Sequence, residues 1–137
     1  MQKYYFDTCI WRDFFEDRFD PNKKPLGKYA TFLILRILNK KDEMLFSDLI
    51  IKELEKRFTI YEIEQMLRLL HSAGVLKRAE ACRGAYEEAR RLADDIKIPL
   101  SDALHVIIAR DNNAILVSRD NHLLNVKCIK VIKPEEI

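Results

Sequence analysis

Four acidic side chains occupy positions that are not typical of a solvated surface: Asp7, Glu53, Asp102 and Asp120. Asp7 directly follows the aromatic run 4–6, and Asp120 comes shortly after the apolar run 115–117, so both stand at the carboxyl ends of predicted strands. Open α/β sheets bind ligands outside the carboxyl ends of their strands. Each aspartate could equally be an N-cap that accepts hydrogen bonds from backbone amides. Position alone leaves the two roles open.

The other two acids fall on predicted helices. Asp102 lies in the first turn of a helix that is apolar on nearly all sides. The helix dipole contributes only about 0.3–1 kcal/mol there, whereas withdrawing an unpaired carboxylate from water costs several kcal/mol. Asp102 therefore needs a cation or access to solvent, which favours a functional role. Glu53 borders an apolar stripe, but an i, i+4 pair with Arg57 is a competing structural role.

A cluster of carboxylates repels itself unless cations neutralise it, and Mg²⁺ or Mn²⁺ suits an all-oxygen site. Such ions can activate water and stabilise the leaving oxygen in phosphodiester hydrolysis. Ser118 is placed where its hydroxyl could orient the Asp120 carboxylate. The three histidines lack the i, i+4 spacing of a zinc helix, so ordinary packing or surface roles are favoured for them, and core packing for His105.

The elements that must position these acids alternate between short apolar runs and segments with helical periodicity. Predicted strands cover residues 4–6, 44–46, 75–81, 115–118 and 129–132. Predicted helices cover residues 10–16, 28–39, 48–58, 59–73, 84–94, 100–110 and 122–124. Strands separated by helices imply crossovers and a mostly parallel sheet that is covered on both faces. We predict an α/β fold with three α/β/α layers, as a single domain over residues 1–137.

Composition limits the functional classes. A chain of 137 residues with 48% hydrophobic and 34% charged residues is expected to be folded rather than disordered. A net charge of +2 argues against histone-like coating of nucleic acid. There is no apolar run of roughly 18 residues, no signal-peptide core and no CxxC spacing among three cysteines. We predict a cytoplasmic protein that does not span a membrane.

The order and context of the four acids resemble those of the PIN-domain ribonucleases, most closely the VapC-type toxins of prokaryotic toxin–antitoxin pairs. The motifs that carry the resemblance are YFDT at 5–8, SDLIIKEL at 47–54, SDALH at 101–105 and VSRDNH at 117–122. Each motif alone is weak, but the four occur in order over almost the whole chain, down to the closing segment 131–136.

The resemblance implies a PIN-like α/β/α fold and an endoribonuclease that depends on Mg²⁺ or Mn²⁺. It also implies an RNA substrate, a homodimer, and inhibition by a small antitoxin protein. Carried over by position, Asp7 and Asp102 would be the principal metal ligands. Glu53 and Asp120 would complete the acidic site, and Ser118 would support it by hydrogen bonding.

Two other readings of the family remain open: a PIN-fold module that binds RNA or protein without cutting, and a structural subunit of a complex. Haloacid-dehalogenase-like phosphatases are disfavoured, because Cys9 stands where their second aspartate is needed. Several basic residues near the predicted edge could contact phosphates, or could simply be solvated surface: Arg12, Lys23, Lys24 and Arg119.

Overall fold

A computed structural model describes residues 1–137 and shows five strands in one parallel sheet. The strands are β1 (Lys3–Phe6), β2 (Glu43–Phe46), β3 (Leu76–Arg78), β4 (Ile115–Val117) and β5 (Val131–Ile132). Their order across the sheet is β3-β2-β1-β4-β5, and every neighbouring pair is parallel. Parallel strands need crossover connections, which here are helical. The predicted α/β class with a mostly parallel sheet is confirmed.

Seven helices connect the strands or follow them. They are α1 (Thr8–Glu16), α2 (Leu26–Lys40), α3 (Asp48–Leu54), α4 (Ile60–Ser72), α5 (Ala85–Ile96), α6 (Leu100–Asp111) and α7 (Asn121–Leu124). A capping box between Thr59 and Glu62 begins α4, and Gly74 follows its end with φ +75°, a left-handed conformation that glycine adopts without strain. No helix is both long enough and apolar enough to cross a membrane.

The strand order reverses between β1 and β4, which makes their shared carboxyl end the switch point of the sheet. From β1 the chain builds outward through β2 and β3 on one side, and then through β4 and β5 on the other. Phe6 is in register with Val117, and the backbone N–H of Asp7 donates to the carbonyl oxygen of Val117 at 3.0 Å. The residues that follow these two strands therefore face one crevice.

The buried core holds these elements in place. Tyr5, Phe6 and Trp11 are fully buried where β1 turns into α1. The middle of α6 is buried on nearly all sides, as its sequence predicts, because the helix lies against both the sheet and α5. Asp102, in the first turn of this helix, is consequently held at the rim of the core.

Candidate active site

Asp7 lies at the N-terminus of α1 and has hydrogen-bond donors on both carboxylate oxygens. Its Oδ1 accepts from the backbone N–H of Thr8 at 2.8 Å, and its Oδ2 accepts from the Ser118 hydroxyl, also at 2.8 Å. The Ser118 oxygen in turn accepts from the backbone N–H of Asp120 at 3.0 Å. Ser118 therefore orients the carboxylate of Asp7, and our expectation that it would orient that of Asp120 is wrong.

Asp120 forms a compact group with Asp102 and His122. Its carboxylate caps α7 by accepting from the backbone N–H of His122 at 2.9 Å. The Nδ1 of His122 lies 3.5 Å from the Oδ1 of Asp120 and 3.7 Å from the Oδ2 of Asp102. One ligand atom from each of the three side chains lies within 4.8 Å of the others. These three groups could share one cation, and Asp7 lies outside this compact group.

The carboxyl group of Asp102 is electrostatically destabilised in its ionised form. Burial, followed by the nearby Asp120 and Asp7 carboxylates, raises its pKa to about 6, against the opposing effect of His105 and His122. Its side chain is 16% exposed. Asp102 thus needs a compensating positive charge, as its position in an apolar helix predicted.

Glu53 reaches the site from α3 through two side-chain donors. Its Oε1 accepts from the Thr8 hydroxyl at 2.9 Å and lies 2.5 Å from the Nε2 of His105. Burial by itself would raise the pKa of Glu53. The hydrogen bond and charge of His105, together with the hydrogen bond from the Thr8 hydroxyl, have a larger combined effect, so the pKa of Glu53 is lowered. The competing pair with Arg57 does not form, because Arg57 contacts Glu16 at 3.1 Å.

A buried chain of hydrogen bonds extends inward from Glu53. The Nδ1 of His105 is 2.8 Å from the Tyr5 hydroxyl, which is 2.7 Å from the Ser47 hydroxyl. An ionised carboxylate can only accept, so Nε2 of His105 carries a proton and donates to Glu53. The Tyr5 hydroxyl bridges the Nδ1 of His105 and the Ser47 hydroxyl, so each polar group of this buried chain has a hydrogen-bond partner.

Sequence reasoning missed the polar roles of two histidines. His105 is fully buried, as predicted, but it contacts Glu53 and Tyr5 rather than serving only as packing. His122 lies beside two of the predicted site acids. The available signals were positional, because His105 lies one helical turn after Asp102 and His122 lies two residues after Asp120.

Two of the basic residues considered for phosphate contact are already paired. The Arg119 guanidinium donates to both carboxylate oxygens of Glu135, at 2.8 and 2.7 Å, and to Asp13 at 3.2 Å. Arg12 lies 3.6 Å from Glu16. Arg119 therefore ties the segment after β4 to the C-terminal segment, and a phosphate contact by Arg119 stays a prediction. Lys23 and Lys24 are exposed.

The residues at this edge fit a divalent cation. Asp102 and Asp120 offer carboxylate oxygens, the ligands that Mg²⁺ and Mn²⁺ prefer, and the raised pKa of Asp102 marks a site that lacks positive charge. Asp7 accepts from Thr8 on Oδ1 and from Ser118 and the Cys9 thiol on Oδ2, which leaves a lone pair of Oδ1 for a cation. His122 adds a nitrogen donor, which Mg²⁺ does not favour and transition metals tolerate.

Replacing Asp102 by Asn is expected to stabilise the metal-free protein. The folded-state pKa of about 6 lies above the ordinary 3.8, so ionised Asp102 opposes folding above pH 6, and this cost disappears as the pH falls toward 4. We expect Asp102→Asn to add about 1–2 kcal/mol to the free energy of unfolding at neutral pH, and much less near pH 4, after allowance for solvent screening. Chemical denaturation in chelator at both pH values measures this. Asp94→Asn, on the exposed surface of α5, is the control, and equal gains at both pH values would contradict the expectation.

The Tyr5 hydroxyl is expected to contribute to stability through His105. Tyr5→Phe leaves the buried Nδ1 of His105 without its partner, so we expect a loss of about 1–3 kcal/mol in the free energy of unfolding. Tyr4→Phe is the matched control, since Tyr4 is buried on the same strand but its hydroxyl is outside the chain of hydrogen bonds. Equal effects of the two substitutions would show that the chain contributes nothing. Denaturant titrations provide the comparison.

Comparison with known proteins places the chain in a family. Residues 4–127 match the sequence profile of the PIN domain. The fold is similar to that in a toxin–antitoxin complex from Klebsiella pneumoniae, with a TM-score of 0.68, 18% identity, and coverage of 98% of this chain and 99% of that one. It is also similar to a chain of VapBC2 from Rickettsia felis bound to a promoter DNA fragment, with a TM-score of 0.67, 16% identity, and coverage of 95% and 97%.

A chain of FitAcB from Neisseria gonorrhoeae is similar as well, with a TM-score of 0.62, 18% identity, and coverage of 98% and 99%. No curated protein matches the sequence. At these identities the solved structures establish the shared fold, and the family rests on the profile match over nearly the whole chain. The chain belongs to the PIN domain family, as its four acidic motifs predicted.

Proposed function

We propose that this protein is a metal-dependent endoribonuclease that hydrolyses RNA phosphodiester bonds. The observation that carries the proposal is the convergence of Asp7, Glu53, Asp102 and Asp120, from four separate elements, at the switch point of the sheet. Burial and the neighbouring carboxylates together raise the pKa of Asp102, a cost without structural benefit unless a cation binds there. Membership of the PIN family supports the same assignment.

Asp7 and Asp102 are the principal metal ligands in this proposal, with Asp120 completing the site and His122 beside it. When bound, Mg²⁺ or Mn²⁺ supplies Lewis acidity that activates water and neutralises charge on the phosphate. Ser118 and the Thr8 backbone hold the Asp7 carboxylate in one orientation. Rigid placement of this kind lowers the entropic cost of assembling the reacting groups.

Glu53 is positioned to orient the attacking water. Its Oε1 is occupied by Thr8 and His105, whereas Oε2 has no protein donor and can accept a hydrogen bond from water. The lowered pKa keeps the carboxylate ionised at neutral pH, which a proton acceptor requires. His105 donates from Nε2 and prevents Glu53 from rotating away.

We further propose that the protein is the VapC-type toxin of a toxin–antitoxin pair. The support is structural, since similar folds occur in a toxin–antitoxin complex and in VapBC assemblies. The proposed partner is a small antitoxin protein, and the proposed assembly is a homodimer in the cytoplasm. Searching for a short open reading frame beside this gene tests the pairing without purified protein.

An RNA-cleavage assay tests the proposed activity. We expect wild-type protein to cleave single-stranded RNA with Mn²⁺ or Mg²⁺ and to lose activity in excess chelator. Asp7→Asn and Asp102→Asn should each lower the rate by more than about 100-fold, because each removes a negative ligand from the site. Asp94→Asn is the control for charge alone. Unchanged cleavage by either site variant, or full activity in chelator, would refute the proposal.

The alternative is a PIN-fold module that binds RNA or protein without cutting, or a structural subunit of a complex. Neither alternative needs a cluster of carboxylates that repel one another. Binding of Mn²⁺ therefore distinguishes the proposed enzyme from both alternatives. We expect calorimetry to show Mn²⁺ binding to wild-type protein and at least tenfold weaker binding to Asp102→Asn. A wild-type protein that binds no divalent ion would favour the non-catalytic alternatives.

A further inference from the structure

A groove adjoins the acidic residues and is the largest of the five main grooves on the surface. Its volume is about 650 Å³, and the other four range from about 250 to 510 Å³. One wall comes from the end of α5 and the residues after it, and the other comes from α7 and the segment that follows. The groove is large enough for one nucleotide, by the usual range of ligand sites.

The groove and the acidic site share a residue. His122 lines the groove, and its Nδ1 is also 3.5 Å from Asp120 and 3.7 Å from Asp102. A substrate with a phosphate at these carboxylates would therefore place a neighbouring nucleotide in the groove without a gap.

The charge of the lining distinguishes this groove from the others. Lys97 and Lys127 line it, and no carboxylate does. Each of the other four grooves has at least one acidic side chain in its lining, among them Glu64, Asp48 and Glu88. Two ammonium groups with no opposing carboxylate suit the phosphates of a nucleic acid.

The remaining lining suits a base. Ile98 and Val126 are largely buried apolar residues in the lining of the groove. Asn121 and Asn125 carry side-chain amides that can both donate to and accept from the edge of a base. A base can enter such a groove only when it is unpaired, so a single strand fits and a duplex does not.

We propose that this groove binds one nucleotide of single-stranded RNA next to the bond that is cleaved. The inference rests on the proposed function, because it takes the scissile phosphate to lie at the acidic residues. Lys97 and Lys127 contact the backbone phosphates, Ile98 and Val126 pack against the base, and the two asparagine amides contact its edge. An apolar segment of a partner protein is the competing occupant, and the lysines and the absence of acids favour RNA.

The cysteines provide a direct probe of this groove. Cys128 is exposed and lines it, whereas Cys82 is exposed and lies outside it. Cys9 is partly buried and its Sγ contacts Asp7 and Ser118, so this thiol is less accessible than the two exposed ones. Alkylation by iodoacetamide, followed by mass spectrometry, then reports on two reactive thiols, one inside the groove and one outside.

The experiment uses wild-type protein with a single-stranded RNA hexanucleotide at low salt, in excess chelator so that metal-dependent cleavage cannot occur. Fluorescence anisotropy gives the affinity, and a saturating concentration is then used for alkylation. We expect Cys128 to be protected several-fold and Cys82 to react at its unliganded rate. A bound hexanucleotide that leaves the Cys128 rate unchanged, or no binding at low salt, would overturn the proposal. So would protection of Cys128 by a duplex of the same sequence to the same extent.

Matched charge variants test the lysines. The double variant Lys97→Gln/Lys127→Gln should weaken RNA binding. It should also reduce the slope of log affinity against log salt concentration by about 1.4, since each phosphate contact to a single strand contributes about 0.7. Lys40→Gln/Lys77→Gln removes the same charge from the end of α2 and from β3, at the far edge of the sheet, and should leave the slope nearly unchanged. Equal effects of the two double variants would show non-specific attraction and overturn the groove assignment.

The two proposals fail separately in these experiments. Protection of Cys128 by RNA without any cleavage in Mn²⁺ would refute the nuclease and keep the groove as an RNA-binding site. Metal-dependent cleavage without protection of Cys128 would keep the nuclease and refute the groove. Protection of Cys128 by a partner protein but not by RNA would refute the RNA assignment and indicate the competing occupant.

Discussion

The hydrogen bond from Ser118 to Asp7 is the contact on which the acidic edge depends. It joins the residues that follow β1 and β4, the two strands that lie side by side at the switch point of the sheet. Because the Ser118 oxygen also accepts from the Asp120 backbone, one hydroxyl fixes both strand ends. Around it, each of Asp7, Glu53 and Asp120 has at least one donor, and the electrostatic cost of gathering the acids is concentrated on Asp102.

Local patterning was sufficient to predict the elements and the acids at their ends. Alternation of strands and helices predicted the parallel sheet, and the residues after β1 and β4 were placed at one edge because parallel strands end together. The apolar residues around Asp102 predicted that its ionised carboxylate would be destabilised. These properties follow from periodicity and burial, which the sequence carries at short range.

The choice of partners could not be predicted, because it depends on packing between distant segments. Helix α3 ends at Leu54 rather than at residue 58, so Arg57 lies beyond the helix and pairs with Glu16, leaving Glu53 for Thr8 and His105. His105 lies on the expected buried helix, but its ring is aimed at Glu53 by the Tyr5 hydroxyl, a group one hundred residues away in the chain. Spacing within a motif carries no information on such contacts.

The separation of Asp7 and Ser118 also determines when the site can exist. They are 111 residues apart, and the strand that brings them together is the fourth of the five strands along the chain. Since domains are synthesised from the N-terminus onward, an incomplete chain on the ribosome has β1, β2 and β3 but no β4 to complete the edge. Asp7 then lacks its Ser118 donor, and Asp120 is not yet present. Assembly of the acidic edge therefore waits until β4 and the residues after it have been synthesised, and a chain that stops before β4 lacks it.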